Sequence, residues 1–116
     1  MIRLLIALTL ALALPAQAMA ERITTRADFL SLVDQRRLTA TGITLSVIPD
    51  GRITGRAFGR EVTGSWSWDE GGWFCRTLGW GRQSWPLNCQ LVIRDGDRLR
   101  FTADRGTGDS ATLRLR

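Results

Sequence analysis

Residues 62–78, VTGSWSWDEGGWFCRTL, decide the fold of this chain. From Val62 to Trp68 every second residue is apolar or glycine, which is the period of a strand that buries one face. The DEGG segment at 69–72 combines residues that favour a reversal of the chain. A second apolar run begins at Trp73, so the stretch predicts two strands of an antiparallel sheet.

The same two-residue period recurs on both sides of this stretch. Turn signals separate the runs, among them Pro49-Asp50-Gly51 and Asp95-Gly96. About seven short strands are predicted, at 43–47, 52–57, 62–68, 73–78, 88–93, 98–103 and 111–116. Because no crossover helix separates them, we expect the strands to pair in sequence order as an up-and-down antiparallel meander.

A sheet of this length tends to curl, since twisted strands accumulate curvature and open edges are a liability. Gly55 and Gly64 fall on predicted inner faces, where the missing side chain suits a strongly bent wall. The sequence therefore predicts a mainly β fold, a small barrel or half-barrel rather than a two-sheet sandwich. Full closure and partial closure both remain open.

One helix is predicted ahead of these strands. Thr25 and Asp28 resemble a capping box, and apolar residues then recur at helical spacing between Phe29 and Val33. The helix should span residues 26–37 and cover an open end or an exposed face of the sheet.

The first twenty residues are typical of a secretory signal peptide. Arg3 provides a positive start, Leu4–Leu14 is an apolar run, and Ala18-Met19-Ala20 fits cleavage before Glu21. A membrane-spanning helix needs about 20 apolar residues, so we expect removal of this segment rather than anchoring. Residues 21–116 would then form a single exported domain, periplasmic or secreted.

Cys75 and Cys89 are the two cysteines of the chain. In an oxidising compartment they should form a disulfide that closes the loop between them. A catalytic thiol or a metal pair is the alternative, but the chain has no histidine and the spacing is not CxxC.

A disulfide between facing strands also predicts their register. Leu78 should then face Pro86, and Trp80 should face Ser84, with a three-residue turn at Gly81-Arg82-Gln83. Because proline has no N–H to donate, its side of the ladder should be free or bulged.

Composition narrows the possible functions. The net charge is +5 with no histidine and no tyrosine, and every basic residue is an arginine. The usual general bases are therefore missing, and no glycine-rich loop opens a helix after a strand. The arginines form no block, so nucleic acid is not an expected partner, and neither a metal nor a cofactor is expected.

All five tryptophans lie between residues 66 and 85. Trp66 and Trp68 share the predicted inner face of one strand, which favours a place in the core. The others surround the disulfide hairpin, where an indole can stack on a sugar or grip an apolar ligand. The candidate binding residues are Trp73, Trp80, Arg82 and Trp85.

A polar, glycine-rich loop carries Asp104, Arg105 and Asp109. Its two carboxylates are the one route to acid–base chemistry that the composition leaves, while a solvated turn with a local ion pair is the plainer interpretation. No third residue that would complete a catalytic site with the two aspartates is recognisable.

Most of the predicted mature chain resembles a family of short secreted bacterial proteins with no established function. The matching segments are 51–59, 62–68, 73–76, 88–90 and 104–109. Some members are labelled dihydrodipicolinate reductase, a longer cytoplasmic enzyme with a glycine-rich nucleotide loop and a motif bearing histidine and lysine. The present chain lacks both residue types. The resemblance therefore implies a compact exported domain and transfers no catalytic residue.

Three functional hypotheses follow. The first is a non-catalytic binding module whose Trp-rich hairpin contacts an envelope glycan, lipid or protein. The second is an inhibitor or accessory protein that uses the same hairpin against an enzyme. The third is an enzyme that uses Asp104 and Asp109.

Overall fold

The computed structural model describes residues 4–13 and 20–116. Within these ranges the elements are β1 (Glu21–Arg22), α1 (Arg26–Val33), β2 (Leu38–Ala40), β3 (Ile43–Val47), β4 (Arg52–Ala57), β5 (Arg60–Asp69), β6 (Trp73–Trp80), β7 (Gln83–Asp95), β8 (Arg98–Thr102), the short α2 (Ala103–Gly106) and β9 (Ser110–Leu115). Strands β2 to β9 form a closed antiparallel barrel, which confirms the predicted fold class.

Each barrel strand pairs with the next one along the chain, and the ring closes where β2 pairs with β9. The short β1 stands outside the ring and pairs with the end of β7, with Glu21 opposite Arg94. Sequence analysis predicted about seven strands and missed β1 and β2. These strands have two and three residues, too few for an alternating pattern to show.

The meander places alternate connections at opposite ends of the barrel. We call one end the open end; its connections are the turns at 41–42, 58–59 and 81–82 and the loop 103–109. The other end, which we call the closed end, has its connections at 48–51, 70–72 and 96–97. Helix α1 contacts the closed end, where the Arg26 guanidinium donates to the Pro49 carbonyl at 2.9 Å.

Helix α1 begins as predicted and ends earlier. The Asp28 amide donates to the Thr25 hydroxyl at 3.1 Å, which satisfies a free N–H of the first turn. The helix stops at Val33 instead of reaching residue 37. Asp34 is extended and Gln35 adopts a left-handed conformation (φ 58°), so the chain turns toward β2.

Two glycines allow the wall to bend where strands pack tightly. A Cβ atom on Gly55 would clash with the backbone oxygen of Thr44, and one on Gly64 would clash with that of Thr77. Gly55 also has φ +150°, a conformation that side chains disfavour. Both glycines therefore have the structural role that the sequence predicted.

The predicted disulfide is present between Cys75 and Cys89, which face each other across β6 and β7. The predicted register holds at the next pair, Arg76 with Asn88. Phe74 is buried in the barrel core, so the alternation of β6 directs Cys75 away from the interior. The disulfide therefore fastens the outer side of the wall.

Beyond this point the register prediction is wrong by one residue. Pro86 and Leu87 lie opposite the single residue Thr77, which is a β-bulge. The observed pairs after the bulge are Leu78–Trp85, Gly79–Ser84 and Trp80–Gln83. The turn at the tip is therefore a two-residue turn, Gly81-Arg82. The bulge falls at the proline, which has no N–H for the ladder.

The N-terminal segment stands apart from these elements. Residues 4–13 form neither helix nor strand, and their large apolar side chains are exposed. Arg3, Leu14 and Ala18-Met19, on which the signal-peptide prediction partly depends, lie outside the described residues. Among the described residues, no helix is both long and apolar enough to cross a membrane.

Candidate functional site

Aromatic side chains fill the closed end of the barrel. The Phe29 ring, which has no exposed area, lies 5.0 Å from the Phe74 ring, 5.1 Å from Trp68 and 5.5 Å from Trp66. The Trp66 indole donates to the Ile48 carbonyl at 2.8 Å. Trp66 is thus a core residue, as predicted, while Trp68 is partly buried and packs against the core, and Phe29 from α1 plugs this end.

Toward the open end the interior holds a cavity of about 330 Å³, which we call the lumen. Its volume is at the lower end of the range for small-molecule pockets. Most of its wall is apolar and includes Leu38, Ile43, Leu45, Ile53, Leu78 and Leu113. Its polar lining residues among those described are Arg76, Gln90, Asp109 and Ser110.

A second cavity of about 280 Å³ adjoins the lumen at the open end, and we call it the mouth. The two cavities share Ile43, Leu45 and Leu78 in their walls. The remaining lining residues of the mouth are Ala57, Phe58, Val62, Trp80 and Trp85. Because every lining residue is apolar or aromatic, the mouth suits an apolar group.

The β-bulge brings Trp85 into the mouth. Trp85 faces Leu78, an inward residue of β6, whereas an unshifted ladder would have placed Pro86 there. Without the extra residue, the alternation of β7 would direct Trp85 to the outer surface. Trp85 is 40% exposed, and it therefore contributes to the wall while remaining accessible at the rim.

Trp80 lies beside it and is held firmly in place. Its indole donates to the Ala57 carbonyl at 2.8 Å, and its ring meets Phe58 edge-on at 6.3 Å. The Arg60 guanidinium lies 5.6 Å from the Trp80 ring, within range of a cation–π contact. Phe58 is 68% exposed at the adjacent turn. The rim of the open end is therefore aromatic and partly basic.

The structure places the other two candidates, Arg82 and Trp73, outside the mouth. Arg82 lies at the hairpin tip and lines a separate groove together with Trp80, Arg60 and Glu61. Trp73 begins β6 at the closed end, and its ring lies 4.4 Å from the Arg22 guanidinium. Of the four candidates, Trp80 and Trp85 share the mouth, and Trp80 and Arg82 share the groove.

The loop between β8 and β9 folds back beside β7. The Asp104 carboxylate accepts a hydrogen bond from the side-chain Nδ2 of Asn88 at 2.7 Å. The side-chain Oδ1 of Asn88 accepts one from the backbone N–H of Asp104 at 3.0 Å. Asp104 and Arg105 both have φ 53°, and Arg105 extends to 6.0 Å from the Trp73 ring. Asp109, by contrast, lines the lumen. These contacts give Asp104 a role in fixing the loop.

Three polar residues of the lumen were not predicted from the sequence: Arg76, Gln90 and Ser110. Arg76 lies between the core residue Phe74 and the cavity residue Leu78 on the inner face of β6, and Gln90 faces Phe74 from β7. Burial lowers the pKa of the Arg76 guanidinium from its ordinary value. The available signal was the alternation itself, because Arg76 is a charged residue at an inward position.

Comparisons with protein-family models, curated proteins and solved structures find nothing that matches this chain. The resemblance to short secreted bacterial proteins therefore stays a prediction, and the geometry described above must carry any functional argument.

Proposed function

We propose that this chain is an exported, non-catalytic binding module that admits an apolar ligand through the open end of its barrel. One observation carries the proposal: the lumen and the mouth are adjoining cavities, lined mainly by apolar residues, behind an aromatic rim. An eight-stranded barrel is just wide enough either to be filled by side chains or to hold one small ligand.

The distribution of side-chain size along the barrel supports this proposal. The closed end contains the large rings of Phe29, Trp66 and Phe74. At the open end, the cavity linings combine the rings of Phe58, Trp80 and Trp85 with the small residues Ala57 and Ala103, and space remains between them. A ligand would occupy this space.

Export is part of the proposal and rests on separate support. Disulfides form and persist mainly in oxidising compartments, and Cys75 and Cys89 are bonded. Among the described residues, the first element is β1, which begins at Glu21, directly after the predicted cleavage point, and pairs with β7. Removal of the preceding segment would leave all these elements in place.

The inhibitor or accessory role is the second candidate. It is favoured by the exposed ring of Phe58, which stands at the rim where a protein loop would meet it. Binding of a small apolar probe supports the first candidate. Failure of every small molecule, together with loss of partner binding in Phe58→Ala, would support the second.

Trp85 provides the sharpest test of the first candidate. In the exported protein, Trp85→Ala should weaken binding of the neutral fluorescent probe N-phenyl-1-naphthylamine at least about tenfold, because burial of a large apolar side chain contributes roughly 1.5–3 kcal/mol. The affinity is measured by titrating the probe and following its fluorescence. Circular dichroism verifies that the variant is folded.

Leu87→Ala is the matched control. Leu87 lies in the bulge two residues away and is 65% exposed, but it lines neither the lumen nor the mouth. Its replacement should leave probe affinity unchanged. Equal losses in the two variants, or no binding by the unmodified protein, would refute binding within the barrel.

A further inference from the structure

Arg76 is a charged group without an ionic partner inside an otherwise largely apolar space. It lines the lumen, and its guanidinium donates to the Pro86 carbonyl at 3.3 Å. None of the three ion pairs found among the described residues includes Arg76. A guanidinium stays protonated at physiological pH, so the lumen contains a positive charge that water solvates only in part.

The neighbouring acidic groups leave this charge uncompensated by direct contact. Asp109 is the carboxylate that lines the lumen with Arg76, but it is exposed and forms no ion pair with Arg76. Asn88 faces Arg76 from β7, and its amide is already bonded to Asp104. An anion that enters the lumen would therefore find a guanidinium without an ion-pair partner among the described residues, and it would share the lumen with the Asp109 carboxylate.

Gln90 is a second polar group directed at the same space. It is only 7% exposed and lines the lumen. Within the described residues, its side-chain amide forms no hydrogen bond. Every fully enclosed side-chain nitrogen or oxygen in these residues has a hydrogen-bond partner, so the Gln90 amide is not fully enclosed. The Gln90 amide therefore keeps an accessible edge toward the cavity. A buried polar group open to a cavity is suited to a ligand that supplies the missing hydrogen bond.

We propose that Arg76 and Gln90 bind the carboxylate of a single-chain fatty acid, whose tail runs through the lumen to the mouth. This inference rests on the proposed function, because it names the ligand of the same site. An arginine fork can hold a carboxylate through two parallel hydrogen bonds. One guanidinium also matches the single charge of a carboxylate, whereas a phosphate monoester carries about −1.5 to −2 at pH 7.

The spacing of Arg76 and Trp80 along β6 fits a medium-length tail. The two residues are four positions apart, and a strand rises ~3.3 Å per residue, so their Cα atoms are separated by about 13 Å. With carbon–carbon bonds of ~1.5 Å, that distance suits a zigzag chain of roughly ten carbon atoms. Decanoate therefore places its carboxylate at Arg76 and its methyl end at the aromatic rim.

Competition against N-phenyl-1-naphthylamine on the exported protein tests the assignment. Decanoate should displace the probe at a concentration at least tenfold lower than decanol, which has the same chain without the charge. Arg76→Gln should remove this preference by weakening decanoate and sparing decanol. Arg100→Gln is the matched control, since Arg100 is an exposed residue of β8 that lines neither cavity, and it should retain the preference.

Each alternative outcome has a defined meaning. A preference for decanoate that survives Arg76→Gln, or that disappears in Arg100→Gln, would overturn the assignment to Arg76. Tighter binding of decyl phosphate than of decanoate would overturn the choice of carboxylate. Binding of the probe and decanol without any preference for decanoate would refute this inference alone. Absence of all binding would refute the proposed function as well.

A measurement on the unmodified protein keeps the inference testable if Arg76→Gln fails to fold. The ¹³C shift of carboxyl-labelled decanoate reports the pKa of the bound acid. An adjacent guanidinium lowers a carboxyl pKa, whereas burial without a cation raises it. A bound pKa below that of free decanoate supports the inference, and an unchanged or raised value contradicts it.

Discussion

Replacing Phe29 with alanine should lower the free energy of unfolding by about 3–5 kcal/mol, the usual cost of deleting a buried phenylalanine ring. Phe29 is completely buried, and its ring contacts Trp66, Trp68 and Phe74 from three sides of the closed end. The cavity left behind cannot collapse easily, because its lining belongs to strands that are fixed in the barrel. Chemical denaturation followed by tryptophan fluorescence measures the loss.

Ser31→Ala on the same helix provides the comparison. Ser31 is exposed and its hydroxyl donates to the Asp28 carbonyl, so its replacement should change stability by no more than about 0.5 kcal/mol. A loss below about 1 kcal/mol for Phe29→Ala would mean that α1 does not plug the barrel.

The second large effect concerns the disulfide. Replacing both Cys75 and Cys89 with alanine should lower the free energy of unfolding by about 3 kcal/mol, since the bond closes a loop of 14 residues' separation and restricts the unfolded chain. The barrel should persist in the variant, because the bond fastens the outer side of a wall that the β6–β7 ladder also holds. Denaturant midpoints of the two proteins give the difference.

Reduction of the unmodified protein is the control for this experiment. It removes the covalent bond without removing side chains, and it should reproduce most of the loss seen in the double variant. If neither treatment shifts the midpoint, the bond contributes nothing to stability and the entropic argument is wrong for this barrel.

Alternation predicted most of the fold because the barrel buries one face of nearly every strand. Val62 and Trp66 on β5, and Leu99 and Phe101 on β8, are buried as their positions indicated. The capping role of Thr25 could also be predicted from the sequence, because it depends only on the short segment from Thr25 to Asp28. These features are local, and sequence patterns report local features well.

The bulge at Pro86 was harder to predict, because its stability depends on how the residues of both β6 and β7 pair. Proline indicated a disturbance but not its direction. A single extra residue places Trp85 in the mouth instead of on the outer face. The residues that form the candidate site therefore change, although β7 still pairs with β6 as the sequence predicted. The end of α1 and the start of β2 were also missed. The turn at Gln35 directs the chain into β2, and the pairing of β2 with β9 that closes the barrel is not visible in the local sequence.

Arg76 illustrates a different difficulty. Its inward position follows from the alternation of β6. The role of an inward arginine can be inferred only once the space around it is known. In a filled interior it would be an unfavourable buried charge. Beside a cavity with the Gln90 amide at its wall, it becomes a group that can recognise an anion.

Isotope-filtered nuclear Overhauser spectra of the exported protein with decanol test the central claim most directly, because they report which side chains touch the ligand. The barrel account predicts contacts from the alkyl protons to Leu45, Leu78 and Trp85. Contacts confined to Leu87 or Trp73, which line neither cavity, would contradict binding inside the barrel.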